Sequence, residues 1–350
     1  MASTSTPQLD AINQDSGLVL DQVDGARPHL VCWTCSLRGT RVCLALYMDS
    51  WVSTEAHAAV EQVVIHVHGK DRDAASAWTY MDMARSLLPL EQQRKVLVVA
   101  PQFFNGLDKP RFYSSKEDAL LVWKGNSWGD GSPSIRRKDD GGVSSFEPLD
   151  ILLLHFSNPL VYPSMKRIVF SGHSLGGQLI NRYCILSPSS CTMREGVSVE
   201  YVIMNPASYL YFSAERKQVV APQGNVYKYG LQNLHSKLAT YTPLLKLSTP
   251  EDYLRRFLQR KVHLIHGEKD QGLGDKSLEA MSQATRMERA KNYHWHLCAM
   301  EKRIAWVGER RWTLDCVSNV GHDSCLMVTS KIAIRRIFDS NQQALHITRT

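Results

Sequence analysis

The chain has 350 residues, 43% of them hydrophobic and 21% charged, enough to bury a large core within one elaborated domain. Its formal net charge of +7 comes from 41 basic and 34 acidic side chains. They are interspersed, as in Arg136, Arg137, Lys138, Asp139 and Asp140, so no basic tail or aromatic-laced basic patch marks nucleic acid as a partner.

In chain order, residues 1–28 are polar and read as a loose N-terminal arm without the charged start and apolar core of a secretory leader. No apolar run reaches the ~18 residues of a membrane span. Residues 29–350 are read as a single α/β domain, expected in the cytoplasm. The β-prone runs 30–37 and 41–47, separated by Arg38-Gly39-Thr40, predict a hairpin. The runs 63–67 and 95–100 are apolar on both faces, as parallel strands covered by helices must be, and 78–88 between them has helical spacing.

Residues 102–142 then lose periodicity and fill with Gly, Asp, Ser and aromatics, including Phe103, Phe104, Phe112, Tyr113, Trp123 and Trp128. So long an irregular stretch suggests a functional loop region beside a site. A helix is predicted over 146–156, a strand over 167–170, a helix over 175–186 and a strand over 201–204. An aromatic-rich insertion, 209–260, stands in the place of a cap, with a helix over 250–259. A strand over 262–265, one or two helices within 277–306, a strand over 312–317 and one closing helix over 325–338 complete the chain. Repeated alternation of this kind predicts a mostly parallel central sheet flanked by helices.

Eight cysteines are too dilute for a disulfide scaffold. Cys32, Cys43, Cys184, Cys298, Cys316 and Cys325 read as buried thiols, and Cys184–Cys191 is a conceivable bridge. Cys32 and Cys35 form a lone CxxC with no second pair to make a zinc site, and whether the two are bridged is left open. His66 and His68 alternate on one strand without a third ligand, so no metal and no cofactor is expected.

The chemical signal is Ser171-Gly172-His173-Ser174-Leu175-Gly176-Gly177, entered by a strand and left by a helix. A nucleophile on a sharp strand-to-helix turn needs small residues two before and two after it, here Gly172 and Gly176. The N–H of Leu175 then faces the place where an oxyanion forms, and the turn after His68-Gly69 offers the N–H of Lys70 as a second donor. A serine hydroxyl needs a base. His322, in the polar loop after the last strand, fits better than His294 or His296, which fall on a helix, or His235, His263 and His266, which come earlier. Asp270, past the strand ending at Gly267, is the preferred orienting acid over Glu268, Asp275 and Asp323.

Together, HG after an early strand, GHSLGG, a late GEKD and a final GHD resemble the α/β-hydrolase superfamily. The resemblance implies that fold, Ser174 as nucleophile, Asp270 as acid, His322 as base and Leu175 with Lys70 as the oxyanion pair. It departs from lipases with a triple-glycine oxyanion loop, since a single Gly69 is followed by Lys70. The activity it implies is hydrolysis of an ester or lactone in a small to medium metabolite. The aromatics in 103–128 and 209–241 suggest a partly apolar or ring-bearing one, although each ring taken singly reads as packing rather than contact. An acyltransferase, a C–C hydrolase or a lyase would use the same three residues, and a non-catalytic small-molecule-binding protein would use the same fold. Oligomeric state leaves no sign in the sequence.

Overall fold

The computed structural model describes residues 8–11, 18–35, 39–51, 56–108, 119–135, 142–188, 194–217, 222–241, 245, 248–274 and 284–339. The strands are β1 (Gln8–Ala11), β2 (Ala26–Cys35), β3 (Thr40–Asp49), β4 (Gln62–Val67), β5 (Val96–Gln102), β6 (Phe104–Asn105), β7 (Val122–Trp123), β8 (Arg167–His173), β9 (Ser198–Met204), β10 (Lys261–Gly267) and β11 (Trp312–Val317). Nine of them form one sheet in the order β1-β2-β3-β5-β4-β8-β9-β10-β11. The first four strands of that order pair antiparallel and the rest are parallel.

The helices are α1 (Ala74–Ser86), α2 (Leu90–Gln93), α3 (Glu147–Ser157), α4 (Leu175–Leu186), α5 (Leu234–Lys237), α6 (Pro250–Gln259), α7 (Arg286–Arg303), α8 (Ser324–Val328) and α9 (Lys331–Phe338). Period-2 alternation sends Val63, Ile65, Leu97 and Val99 into one core layer, with α3, α4 and α7. Val64, Val96 and Val98 go into the other, with α1 and α9. Each fully buried side chain of this size contributes about 1.5–3 kcal/mol, which is why the central strands read so clearly.

Three expectations are corrected. The arm is not loose throughout, because 8–11 add an edge strand antiparallel to β2. The closing helix is two helices: Ser330 accepts the Ala333 N–H as an N-cap, and serine favours a cap over a helix interior. Cys32 and Cys43, opposite each other in the β2–β3 ladder, are joined as a disulfide, so Cys32 is not bridged to Cys35, whose buried thiol faces the Glu147 carboxylate. The conceivable Cys191 bridge and the expected start of the 277–306 helices lie outside the described residues.

In the aromatic segments the rings pack, as each taken singly reads. Phe103, Phe104, Trp123 and Trp128 are fully buried, and Phe103 stacks on Trp128 at 5.3 Å. In 209–260, Tyr209, Tyr211, Phe212, Tyr227 and Tyr241 are also buried. Tyr241 donates to Asp150 of α3 at 2.6 Å and Arg182 of α4 donates to the Lys228 carbonyl at 3.1 Å, so this segment is anchored on the helical layer. These rings supply core area, the commonest use of large aromatics. Phe112 and Tyr113 lie outside the described residues.

Burial also fixes a pH response. Above all, burial holds His66, His266 and His296 down to about 3, and His68 and His263 down to about 4. Unfolded, each takes a proton near its ordinary value of about 6.5, so their contribution is complete above that pH. It drains away as pH falls towards 4, because the unfolded chain binds the protons first. Unfolding free energy is expected to fall by roughly 3 kcal/mol or more between pH 7 and pH 5. Denaturant midpoints across that range check this, and a flat profile would contradict neutral burial.

Candidate active site

β8 delivers Ser174 to a turn that only close backbone approach allows. Its φ of 57° and ψ of −116° lie outside the regions a side chain ordinarily adopts, and its N–H donates to the Met204 carbonyl of β9 at 2.9 Å. Strain of this sort costs about 1–3 kcal/mol and persists only where the surroundings enforce it. A Cβ on Gly172 would sit 2.5 Å from the Gly176 backbone, and one on Gly176 would sit 2.3 Å from the Val67 carbonyl. The two glycines therefore let strand and helix cross. Gly177 is also required, since its Cβ would meet the Met204 carbonyl at 2.8 Å.

The loops after β10 and β11 converge on this turn. Asp270 Oδ2 accepts from His322 Nδ1 at 2.7 Å, and His322 Nε2 lies 2.9 Å from Ser174 Oγ. With Asp270 on Nδ1, the imidazole presents Nε2 as an acceptor to the hydroxyl, the tautomer a general base needs. Burial alone pushes the Asp270 carboxyl up. The hydrogen bond and charge of His322, together with the Arg286 guanidinium, outweigh it and hold the group below its ordinary range. Glu268 is exposed, Asp323 caps α8 by accepting the Leu326 N–H, and Asp275 lies outside the described residues. His294 packs edge-on against Trp312, and His296 Nε2 accepts the Phe212 N–H, so neither reaches Ser174.

Two supporting side chains escaped the sequence reading. Asn205, at φ 45° just after β9, accepts the Gly267 N–H at 2.9 Å and donates to the Gly321 carbonyl at 3.0 Å. One amide thus clamps the loop carrying Asp270 to the loop carrying His322. Arg286 holds Asp270 Oδ1 at 3.0 Å. A positive φ was not visible in Asn205-Pro206, which read only as a strand end. Thr285 followed by Glu288 was a legible capping box that would have placed Arg286 at the first turn of α7. His173 lies 4.7 Å from His322, ring to ring, and burial holds its pKa well below the ordinary value.

Of the expected oxyanion donors, Leu175 follows Ser174 in the chain and Lys70 lines the same cleft as Ser174. Leu175 opens α4, where the first N–H groups have no partner inside the helix. On the other side Gly69 lies against Ser174, its would-be Cβ only 3.7 Å from the serine Cβ. His68 braces the turn into Lys70: Nδ1 pairs with the Gly69 carbonyl at 2.8 Å and Nε2 accepts the Phe103 N–H at 3.0 Å. His66 pairs with Ser171 inside the sheet. Among the described residues no group of three or more His, Cys, Asp or Glu side chains is arranged to hold a metal ion.

A cleft of about 260 Å³ opens over Ser174 and His322. Besides these two and His173, its walls carry Lys70, Asp71, Ser76, Tyr80 and Ser324, with Ala77 the one aliphatic side chain. None of the described rings in 102–142 or 209–260 lines it. The first segment instead backs the site: Trp128 packs edge-on to His68 at 4.8 Å, and Gly129 has no Cβ because Leu175 fills that space at 2.5 Å. A smaller cavity of about 110 Å³ lies at the starts of β8 and β10, where Arg167 and Lys261 are both paired with Glu200.

With this geometry in place, solved structures can be compared. The poly(3-hydroxybutyrate) depolymerase LpqC from Bordetella parapertussis superposes with a TM-score of 0.57 over 86% of this chain and 86% of that one, at 18% identity. Poly(aspartic acid) hydrolase-1 from Sphingomonas sp. KT-1 superposes with a TM-score of 0.56 over 85% of this chain and 94% of that one, at 15% identity. The fold is the α/β-hydrolase fold. At these identities the likeness is one of architecture. No protein-family model matches the chain, and no curated protein sequence matches it. No described helix is long and apolar enough to cross a membrane.

Proposed function

We propose that this chain is a serine hydrolase that cleaves an ester or lactone bond in a small to medium metabolite through an acyl-enzyme. The observation that carries the reading is the continuous relay from Asp270 through His322 to Ser174, with distances of 2.7 and 2.9 Å, ending in a cleft. His322 Nε2 takes the Ser174 proton as Oγ attacks the carbonyl carbon. The N–H groups of Leu175 and Lys70 receive the negative oxygen. The C–O bond breaks as His322 returns the proton to the leaving alkoxide. Water, deprotonated by the same histidine, then splits the acyl-serine and restores the hydroxyl. Asp270 keeps the imidazole oriented and offsets the imidazolium charge.

The cleft walls favour a compact acyl group that carries polar atoms near the carbonyl, in reach of Lys70, Asp71 and Ser76. That the two structural neighbours are named a depolymerase and a hydrolase is consistent with this reading. The Cys32–Cys43 disulfide favours an oxidising compartment over the cytoplasmic one expected from composition.

A panel of soluble esters, graded in acyl length and in hydroxyl or amino substitution, tests the proposal. Short polar acyl esters are expected to exceed decanoyl and longer esters in kcat/KM by at least ~10-fold, a few methylenes' worth of discrimination. Added alcohol or amine acceptors in the same assays separate hydrolysis from transfer. Absence of turnover across the panel, or a steady rise with chain length, would count against it.

A further inference from the structure

The acid of the relay is held from two sides. Its side chain is 1% exposed, and its oxygens divide their work: Oδ2 faces His322 at 2.7 Å and Oδ1 faces Arg286 Nη1 at 3.0 Å. The guanidinium is itself fixed. Arg286 is the first residue of α7, its backbone N–H donates to the Gly272 carbonyl at 3.0 Å, and the Thr285–Glu288 capping box sets the helix start. The loop wraps the guanidinium so closely that a Cβ on Gly272 would sit 2.5 Å from Nη1 and one on Gly274 2.6 Å from Nε. A largely buried cation persists when a carboxylate answers it, and Asp270 does so.

We propose that Arg286 is a positioning residue for the relay: it locks the Asp270 carboxylate so that Oδ2 stays on His322, and its charge sets the pH at which Ser174 becomes reactive. This rests on the reading of Ser174 as nucleophile. An isolated carboxylate beside an imidazole favours the imidazolium, which is useless as a base. A guanidinium behind the carboxylate offsets part of that field at the imidazole. The other titratable and charged groups around the relay are neutral His173 and His266, buried Tyr209 and Arg289, half-buried Tyr80, and exposed Lys70, Asp71, Asp73, Glu268, Lys269 and Asp323. All of them stay constant in the variants below.

The test follows the rate of Ser174 labelling by a fluorophosphonate probe from pH 5 to 9. Arg286→Met is expected to move the rising limb up by ~0.5–1 pH unit, as loss of one charge about two contacts away should. Labelling at pH 6.5 should slow by about 3–10-fold. Arg286→Lys should restore most of the limb's position. Gly272→Ala leaves every charge in place but displaces the guanidinium tip, and should move the limb in the same direction by less. A purely structural arginine would lower the rate equally at every pH and leave the limb where it was. A limb unchanged in both Arg286→Met and Gly272→Ala overturns the proposal while Ser174 labelling stands. If Arg286→Met does not fold, Gly272→Ala and Arg286→Lys decide the same question. Absence of Ser174 labelling in the wild-type protein overturns the nucleophile reading, and this inference with it.

Discussion

Ser174→Ala is expected to lower kcat by at least ~10³-fold while the protein folds as before. Only one atom is removed, and that atom is the one on which the relay converges, 2.9 Å from His322 Nε2. The backbone strain at φ 57° does not depend on the hydroxyl, so alanine inherits the same turn and the same cost. Among the described residues the hydrogen-bond partner of Ser174 Oγ is His322, and the turn is fixed by its own N–H on Met204 and by the glycines at 172, 176 and 177. Unfolding free energy should therefore change by no more than about 1 kcal/mol. Steady-state rates on any ester from the panel, with a thermal melt on the same sample, measure both. Turnover within tenfold of wild type would remove Ser174 from the chemistry.

Asp270→Asn is the second large effect, and the structure changes what should accompany it. Loss of the charge and hydrogen bonding that fix the imidazole tautomer is expected to cost ~10²–10⁴-fold in kcat. In the structure Asp270 has two partners, with Oδ2 on His322 and Oδ1 on Arg286. An amide in its place leaves a mostly buried guanidinium without its counter-charge, so stability should also fall by about 1–3 kcal/mol. Glu268→Gln is the control: that residue is exposed on the same loop, and its loss should cost less than about tenfold and little stability. If Glu268→Gln were crippled and Asp270→Asn kept its rate, the acid would be misassigned.

Legibility followed burial. The central strands and α4 were placed from sequence because both their faces are packed, which leaves continuous apolar runs, and GHSLGG stood out because close packing admits only glycine at its flanks. The edge strand Gln8–Ala11 carries no such pattern and exists only through pairing with β2. The Cys32–Cys43 bridge needed the register of the hairpin, which spacing alone does not give. The aromatic runs are ambiguous for a different reason. Composition marks a ring as valuable area to cover, but whether core or substrate covers it depends on tertiary neighbours such as Asp150, Leu175 and His68. Asn205 and Arg286 act on the relay through residues more than ten positions away, beyond the reach of any local motif.

The most direct measurement is the site of covalent modification by a fluorophosphonate, read by peptide mass mapping at pH 8 on wild type, Ser174→Ala and His322→Ala. A strained serine made nucleophilic by a neutral histidine should yield one adduct, on Ser174, absent from the alanine variant and slowed at least ~10²-fold without His322. An adduct on any other residue, or equal labelling of Ser174 with and without His322, would contradict the relay as the source of its reactivity.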